Sequence, residues 1–292
     1  MDVDLRKLRY FTAVAEQLNY GRAAEMLHIA QPVLSRQIRA LEHELGVQLF
    51  VRDKRGTKLT PAGEQLRDDA GPLLAAADAL HRRVSRAARG RQTFTVAFMP
   101  GIIVTGPVRA LGAKHPDLAV DVLRTSWGDQ ADVVRDGRAD VSFLRLPVDS
   151  TGLRTLSLFE EPRVVLLPAD HRLAAKDGIT VADLAGERLL QPAEMVPEWP
   201  ETGAGSVAGQ VAPVHRSMEE KLEHVAVGHG IVVLPESAAA LYRRGDVASV
   251  PISDIGPTRV VLAWDATRRS ALIDEFAAFA LADQAERATA LS

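Results

Sequence analysis

The sequence of 292 residues is 47% apolar and 25% charged, which is the composition of a globular protein of one large domain or two ordinary ones. It contains no cysteine, and this excludes disulfides, thiolate nucleophiles, cysteine-ligated zinc and iron–sulfur clusters. No stretch has the length and hydrophobicity of a signal peptide core or a membrane span, so we expect a cytoplasmic protein with no membrane partner.

The net charge of −3 is unevenly distributed along the chain. Residues 1–90 carry 15 Lys and Arg against 11 Asp and Glu, whereas residues 91–292 carry 20 against 27. The asymmetry suggests a small basic module fused to a larger acidic one. A basic module is compatible with nucleic-acid binding, but an ordinary solvated surface would give the same bias.

Apolar residues at steps of three and four predict three short helices within residues 5–46. The third helix opens at Gln31-Pro32, where proline suits the first turn, and it stops at Gly46. The predicted buried stripes are, in chain order, Leu5, Leu8, Phe11, Ala15 and Leu18, then Ala23, Ala24 and Leu27, then Val33 or Leu34 with Ile38, Leu41 and Leu45.

A tight turn between the second and third helices is typical of a helix-turn-helix, whose second member enters the major groove of DNA. We expect the base-reading residues on the exposed face of the third helix, at Gln31, Pro32, Ser35 and Arg36. Arg36 can donate two hydrogen bonds to guanine, and Gln31 can pair with adenine. Any small three-helix bundle also turns polar residues outward, so spacing alone leaves both interpretations open.

Residues 47–59 predict a β-hairpin with Gly56 at its bend, which would make the module a winged variant. Basic side chains around such a wing contact phosphates or a minor groove. The candidates for these backbone or wing contacts are Arg22, Arg39, Arg52, Lys54, Arg55 and Lys58.

The run from Leu5 to Gly63 resembles the N-terminal module of the LysR-type transcriptional regulators. The resemblance implies a winged helix-turn-helix that binds double-stranded DNA. Two departures are visible, at Tyr20-Gly21 and at Ala30, where the loss of a serine cap costs about 1 kcal/mol. The matching motifs are Leu8–Glu16, Ala23-Ala24-Glu25-x-Leu27, Gln31-Pro32-x-Leu34-Ser35-x-Gln37-Ile38, Leu41-Glu42-x-Glu44-Leu45-Gly46, Leu49-Phe50-x-Arg52 and Leu59-Thr60-Pro61-Ala62-Gly63.

Residues 64–89 contain an a/d heptad seam formed by Leu66, Ala70, Leu73, Ala77, Leu80, Val84 and Ala87. The seam favours pairing with a second copy of the chain, although an amphipathic helix packed on its own domain is the alternative. Gly71-Pro72 predicts a kink or a break. In the family this segment is the linker helix, which implies a homodimer or a dimer of dimers on a pseudo-palindromic operator.

After the polar joint at residues 88–91 the pattern changes to short strands alternating with helices, which predicts two α/β lobes with a largely parallel sheet. The predicted strands are Thr93–Phe98, Ala119–Arg124, Asp140–Leu144, Arg163–Pro168, Glu187–Leu190, Val211–Val214, Ile231–Leu234, Val247–Val250 and Arg259–Ala263. The predicted helices are Pro107–His115, Gln130–Arg135, Val181–Leu184, Met218–Val227, Pro235–Tyr242 and Ala271–Gln284.

This half is similar to the effector-binding domain of the same family, which resembles periplasmic solute-binding proteins. The matching pieces are Gly137–Val141, Val164–Ala174 and Val225–Pro235. The expected fold is therefore α/β, with an all-α-dominated winged helix-turn-helix domain, a linker helix and a two-lobed Rossmann-like, periplasmic-binding-protein-like effector domain. The expected boundaries are 3–60, 61–90 and 91–292.

An effector should bind between the lobes, at the carboxyl ends of the strands. The resulting candidates are Met99, Pro100, Gly101, Thr125, Ser126, Trp127, Arg145, Gln191, Glu194 and Ser217. Arg145 is the favoured anchor, since a guanidinium can hold a carboxylate effector while Trp127 stacks on its body. Equally, Arg145 would pair with a surface acid and Trp127 would fill the core of a lobe.

Other clusters carry no chemistry in this interpretation. His171, His215, His224 and His229 lack the spacing of a helical zinc pair, and Gly203–Gly209 lacks that of a phosphate loop. We therefore expect no enzyme activity, no metal and no cofactor, and a regulator that contacts RNA polymerase. Cysteine absence excludes the thiol-based sensing of some family members. The rival interpretation is an α/β enzyme or solute-binding module with an incidentally basic N-terminus.

Overall fold

The computed structural model describes residues 4–53, 56–87, 92–199 and 217–290. The chain divides into two units. The first comprises residues 1–90, with residues 135–138 grouped with it, and the second comprises residues 91–134 and 139–292. The predicted strand Val211–Val214, the Gly203–Gly209 segment, His215, Lys54, Arg55 and the joint at 88–91 lie outside the described residues.

The first unit begins with three helices, α1 (Leu5–Gln17), α2 (Tyr20–Met26) and α3 (Gln31–Leu45). The side chains of Asp4 and Asn19 cap α1 and α2 by accepting hydrogen bonds from backbone N–H groups of the first turn. Helix α3 lacks such a cap because Ala30 precedes it, and it has proline in its first turn, as predicted.

Most residues of the predicted stripes form the core of this bundle, but Leu5 is only half-buried and lies outside it, and Leu18 is exposed. Phe11, Leu34 and Ile38 are fully buried. Leu18, by contrast, is 45% exposed, because it ends α1 in the left-handed conformation with φ of 45° and so leaves the helical stripe. The prediction that Leu18 belongs to the core is therefore wrong, since the periodicity was extended one residue beyond the helix.

A two-stranded hairpin follows, formed by β1 (Phe50–Asp53) and β2 (Gly56–Leu59) in antiparallel pairing. Gly56 is the first residue of β2 and lies opposite Asp53, so it does not occupy the bend to which it was assigned. The carboxylate of Glu42 in α3 accepts hydrogen bonds from the backbone N–H groups of Leu49 and Phe50, and this fastens the hairpin to the helix.

Helix α4 (Pro61–Ala87) is continuous through Pro72, so of the predicted kink or break at Gly71-Pro72 the break does not occur. A proline removes one intrahelical hydrogen bond, and the alanine- and leucine-rich sequence that follows has high helix propensity. Along this helix Leu73, Leu80 and Val84 are 44%, 58% and 62% exposed, whereas Ala70 and Ala79 are buried.

The second unit contains two sheets. The larger sheet has the order β4-β3-β5-β10-β6, and the smaller has the order β8-β7-β9. Their strands are β3 (Thr93–Phe98), β4 (Ala119–Arg124), β5 (Val141–Arg145), β6 (Leu153–Glu161), β7 (Arg163–Pro168), β8 (Val232–Pro235), β9 (Val247–Pro251) and β10 (Thr258–Asp265). The helices are α5 (Thr105–Lys114), α6 (Asp132–Arg135), α7 (Met218–Ala226), α8 (Glu236–Leu241) and α9 (Ala271–Ala290), with short 3₁₀ turns at Val181–Leu184 and Ala193–Met195.

The prediction of a largely parallel sheet is wrong. Only the pairs β3–β4 and β3–β5 are parallel, whereas β10 runs antiparallel to β5 and β6, and β7 runs antiparallel to β8 and β9. The cause is the path of the chain. It leaves the larger sheet at β6, enters the smaller sheet at β7 through Pro162 alone, and returns from β9 of the smaller sheet to β10 of the larger one. Neither connection contains the crossover helix that parallel pairing of consecutive strands needs.

One further strand was not predicted, and one predicted strand does not form. β6 was not anticipated, and Glu187–Leu190 is not a strand, because only Leu189 forms a bridge, with Ile231.

Helix α9 packs Phe276 against Phe94 and Phe143 of the larger sheet, at ring-centroid distances of 5.5 and 6.1 Å. Within the described part of the chain, no helix is long and apolar enough to cross a membrane.

Candidate nucleic-acid interface and ligand cavity

The outward face of α3 carries the residues expected to read DNA. Gln31, Pro32, Arg36 and Arg39 are exposed, Ser35 is half-buried, and the opposite face is buried in the bundle. The helix therefore presents donors and acceptors to solvent from a rigid support. This is the arrangement that a recognition helix requires.

Exposed cations lie on this face and on the neighbouring elements α2 and β2. The side chains of Arg22, Arg36, Arg39 and Lys58 are exposed and form no ion pair with a carboxylate of the described residues. Cations without an internal partner are free to neutralise phosphates. Arg52 lies in β1, but its side chain is outside the described part of the structure, as are Lys54 and Arg55.

The second unit encloses a cavity of about 790 Å³ between the two sheets, a volume typical of small-molecule sites. Eight of the ten predicted effector residues line it, namely Met99, Pro100, Thr125, Ser126, Trp127, Arg145, Gln191 and Ser217. Gly101 and Glu194 do not. Gly101 has φ of +89° and lies against the backbone of α8, where an added Cβ would come within 2.6 Å of the Ala238 nitrogen. Glu194 is exposed.

Arg145 is 2% exposed, and the protein already satisfies its guanidinium. Its Nε donates to Oε1 of Glu161 at 3.0 Å, its Nη1 donates to the carbonyl of Pro100 at 2.6 Å, and its Nη2 donates to Oγ of Ser237 at 2.9 Å. Burial lowers the pKa of Arg145, and the charge of Glu161 opposes this effect. These contacts support the alternative in which Arg145 pairs with an acidic side chain, although the acid is buried.

Three other polar candidates are also engaged. The Gln191 amide pairs at 3.0 Å with both backbone groups of Val233, and the Ser126 hydroxyl donates to Asp129 at 2.8 Å. The Ser217 hydroxyl caps α7 by accepting from the Glu220 N–H. Each of these bonds fixes the cavity wall, so these side chains position the wall and do not present a free group.

Thr125 differs from its neighbours. It is 3% exposed, and its Oγ1 is the only buried side-chain polar atom of the described residues that has no hydrogen-bond partner. Its backbone N–H donates to Phe98 at 2.9 Å and so extends the β3–β4 pairing. A buried hydroxyl without a partner carries a free-energy cost, which a ligand can remove.

Sequence reasoning missed a second group, Lys221 of α7, which lines the same cavity. Lys221 forms no ion pair with any carboxylate of the described residues, and burial lowers the pKa of its ammonium group. It lies one helical turn after Ser217, so the i, i+4 spacing from a residue already assigned to the site could have identified it.

The acidic side chains of the cavity wall have cationic neighbours. Glu198 pairs with Arg163, and Arg124 acts electrostatically on Glu219. Arg124 also donates to the Tyr242 hydroxyl at 3.4 Å. The remaining wall is mainly apolar, formed by side chains such as Met99, Trp127, Leu146, Met195 and Met218. Trp127 therefore lines the cavity, and it also packs against the core of the larger sheet.

The structure corrects one argument about histidines. The five-residue spacing of His224 and His229 predicted that the two side chains would not meet on one helix face. Their Nδ1 atoms nevertheless lie 3.0 Å apart, because the chain reverses after α7. No group of three or more potential metal ligands occurs among the residues that the structure describes.

The fold and these two sites together define a ligand-responsive DNA-binding protein. Comparison with known families agrees. Residues 5–64 match the bacterial regulatory helix-turn-helix model of the lysR family, and residues 87–285 match the LysR substrate binding domain.

Individual relatives extend over most of the chain. The Hca operon transcriptional activator HcaR of Escherichia coli is 34% identical over 90% of this chain and 92% of its own. The regulator CatR of Pseudomonas putida is 33% identical over 89% of this chain and 92% of its own. The crystal structure of full-length BenM is similar with a TM-score of 0.51 and 27% identity, covering 98% of both chains. The crystal structure of full-length CbnR complexed with its target DNA is similar with a TM-score of 0.50 and 25% identity, covering 97% of this chain and 100% of that chain.

The chain belongs to the LysR family of transcriptional regulators. It is a DNA-binding regulator with an effector-binding domain, and the family is not enzymatic. The predicted family, fold class and general function are thereby confirmed.

Proposed function

We propose that α3 reads the operator, that the hairpin β1–β2 and the surrounding cations position it, and that the cavity of the second unit holds the effector. The DNA part of the proposal rests on Arg36, which is exposed opposite the fully buried Leu34 and Ile38 and has no ion pair among the described residues. Gln31, Pro32 and Ser35 complete the reading surface, while Arg22, Arg39, Arg52, Lys54, Arg55 and Lys58 serve the backbone.

The active form is a homodimer that pairs through α4, with a dimer of dimers as the larger assembly. Leu73, Leu80 and Val84 support this proposal because large apolar side chains this exposed gain free energy when a second copy covers them. Two-fold symmetry then requires a pseudo-palindromic operator with half-sites separated by whole helical turns.

Effector binding favours one arrangement of the two sheets around the cavity. A differential affinity typical of coupled sites, about 1–3 kcal/mol, is enough to change the contacts or the bending of the operator. The altered complex would then change its contact with RNA polymerase. The boundaries 3–60, 61–90 and 91–292 remain our proposal for the three functional parts.

Footprinting tests this account. The DNA upstream of the gene that encodes this protein would be footprinted with the purified protein, with and without candidate metabolites. We expect protection of a symmetric site whose extent changes with an effector, and loss of that change in Met218→Ala, which alters the cavity wall. Identical footprints with every metabolite would contradict the sensing role of the cavity.

A further inference from the structure

A pair of imidazole rings lies at the C-terminal end of α7. The Nδ1 atoms of His224 and His229 are 3.0 Å apart, and the centroids of the two rings are 5.3 Å apart. His229 is exposed and His224 is half-buried, so the pair is open to solvent. Neither histidine lines the cavity of the second unit, and neither belongs to the DNA-reading surface. The pair therefore has no role in the functions proposed above.

The backbone at the end of α7 holds the two histidines together. The helix ends in a Schellman motif, in which Gly228 has a φ of +76° and its N–H donates to the Val225 carbonyl at 2.9 Å. The N–H of His229 donates to the carbonyl of His224, also at 2.9 Å. The residues at these two positions of the motif frequently make an apolar side-chain contact. Because both are histidines in this chain, the motif brings two nitrogen ligands together instead.

The spacing of the two nitrogens suits one shared transition-metal ion. With the Nδ1 atoms 3.0 Å apart, metal–nitrogen bonds of about 2.0–2.1 Å give an N–metal–N angle of about 95°. Square-planar and octahedral ions hold neighbouring ligands at about 90°, whereas a tetrahedral ion needs nitrogens about 3.3 Å apart. Imidazole is a good ligand for both copper and nickel. The spacing therefore favours Ni²⁺ or Cu²⁺ over tetrahedral Zn²⁺.

The charges around the pair are compatible with a cation. The carbonyl groups at the end of a helix carry a partial negative charge, and His224 lies in the last turn of α7. Arg244 donates to Glu223 of the same helix, but it is also paired with Asp246, so its charge is compensated.

The protonation of the rings also permits an ion. A hydrogen bond between the two Nδ1 atoms needs one donor and one acceptor nitrogen, so at least one ring is neutral. When the donor ring is neutral as well, moving its proton from Nδ1 to Nε2 leaves both Nδ1 lone pairs available to a metal.

We propose that His224 and His229 bind one Ni²⁺ or Cu²⁺ ion through their Nδ1 atoms, at a site separate from the effector cavity. Water completes the coordination, since no third potential ligand joins the pair within the described part of the chain. The ion links the last turn of α7 to the segment that leads into β8. It thereby fastens one end of a helix whose residues Met218 and Lys221 line the cavity.

Isothermal titration calorimetry of the tag-free, full-length protein with NiCl₂ and CuCl₂ tests this site. We expect the wild type to bind each ion with a Kd of about 100 µM or lower. His224→Gln and His229→Gln each remove one of two linked ligands, so each should raise the Kd by about 10-fold or more. His43→Gln, at an exposed histidine of α3, should bind like the wild type. Mg²⁺, which prefers oxygen ligands, should not bind at these concentrations.

Electron paramagnetic resonance of the Cu²⁺ complex identifies the ligands directly. The wild-type spectrum should show hyperfine splitting from two imidazole nitrogens, and each single variant should lose that pattern. A wild type that binds neither ion at millimolar concentration would overturn the proposal. Equal affinities in the wild type and in both variants would overturn it too, because the ion would then lie on other side chains. Circular dichroism establishes that each variant is folded, and neither outcome affects the proposals for DNA and effector binding.

Discussion

Arg145 and Glu161 form an ion pair in which both side chains are almost fully buried, at 2% and 8% exposure, with Nε and Oε1 3.0 Å apart. The pair joins the end of β5 to the end of β6, where the chain leaves the larger sheet. Ser237 of α8 contacts both members, because its hydroxyl accepts from Arg145 and its N–H donates to Glu161 at 3.2 Å. The pair therefore ties α8 to the crossover between the sheets.

Breaking this pair should destabilise the protein strongly. Arg145→Ala leaves the Glu161 carboxylate buried without a counter-ion, which costs about 3–5 kcal/mol. Arg172→Ala is the matched control, because Arg172 is 57% exposed and its pairing with Glu187 is worth about 1 kcal/mol or less. Urea denaturation measures both. Equal midpoints for the two variants would show that the buried pair is not structurally important.

The two classes of DNA contact should respond differently to mutation. Arg36→Ala should cost about 1–3 kcal/mol on the operator and relax the preference at one base pair. Lys58→Ala should weaken binding to all sequences alike and reduce the salt slope by about 1. Fluorescence anisotropy at several salt concentrations, on operator and scrambled DNA, distinguishes the two effects. The division into reading and positioning residues is wrong if both variants show the same pattern.

The exposed face of α4 should control the oligomeric state. Leu80→Asp places a charge where we expect an apolar contact, and burial of a leucine is worth about 1.5–3 kcal/mol for each copy across a two-fold interface. We expect a monomer in sedimentation equilibrium. Gln65→Asp introduces the same charge at an exposed polar position of the same helix and should leave the dimer intact. A dimeric Leu80→Asp would place the interface elsewhere.

Lys221 should destabilise the ligand-free protein in a pH-dependent manner. Burial lowers its pKa in the folded state, so the unfolded chain binds more protons between that lowered pKa and the ordinary lysine value near 10.4. Stability of the wild type should therefore rise with pH across this window. Lys221→Met should have the higher Tm at pH 7, and the difference should shrink as the pH rises. A variant that is less stable at pH 7 would contradict this sign.

Local patterns predicted the first unit well because its contacts are local. The three-residue and four-residue spacing identified Phe11, Leu34 and Ile38 as core, and it therefore placed Arg36 on the exposed face. The errors occur where a pattern ends, as at Leu18. The continuous helix through Pro72 likewise depends on the propensity of the residues that follow.

The second unit was predicted less completely because its pairings connect distant parts of the chain. The partners of β10 are β5 and β6, more than ninety residues earlier, and no local signal gives the direction of such pairing. Arg145 was correctly placed at the cavity, but its partner Glu161 comes from a strand that the pattern did not reveal. Lys221 was missed because its place in the cavity wall is a tertiary relationship.

Selection from a pool of random DNA duplexes tests the central claim most directly. We predict that the wild-type protein enriches a two-fold symmetric sequence with half-sites one or more helical turns apart. Arg36→Ala should lose the preference at a symmetric pair of positions while retaining the spacing. Enrichment of no sequence by the wild type, or of an identical sequence by Arg36→Ala, would contradict the assignment of α3 as the reading element.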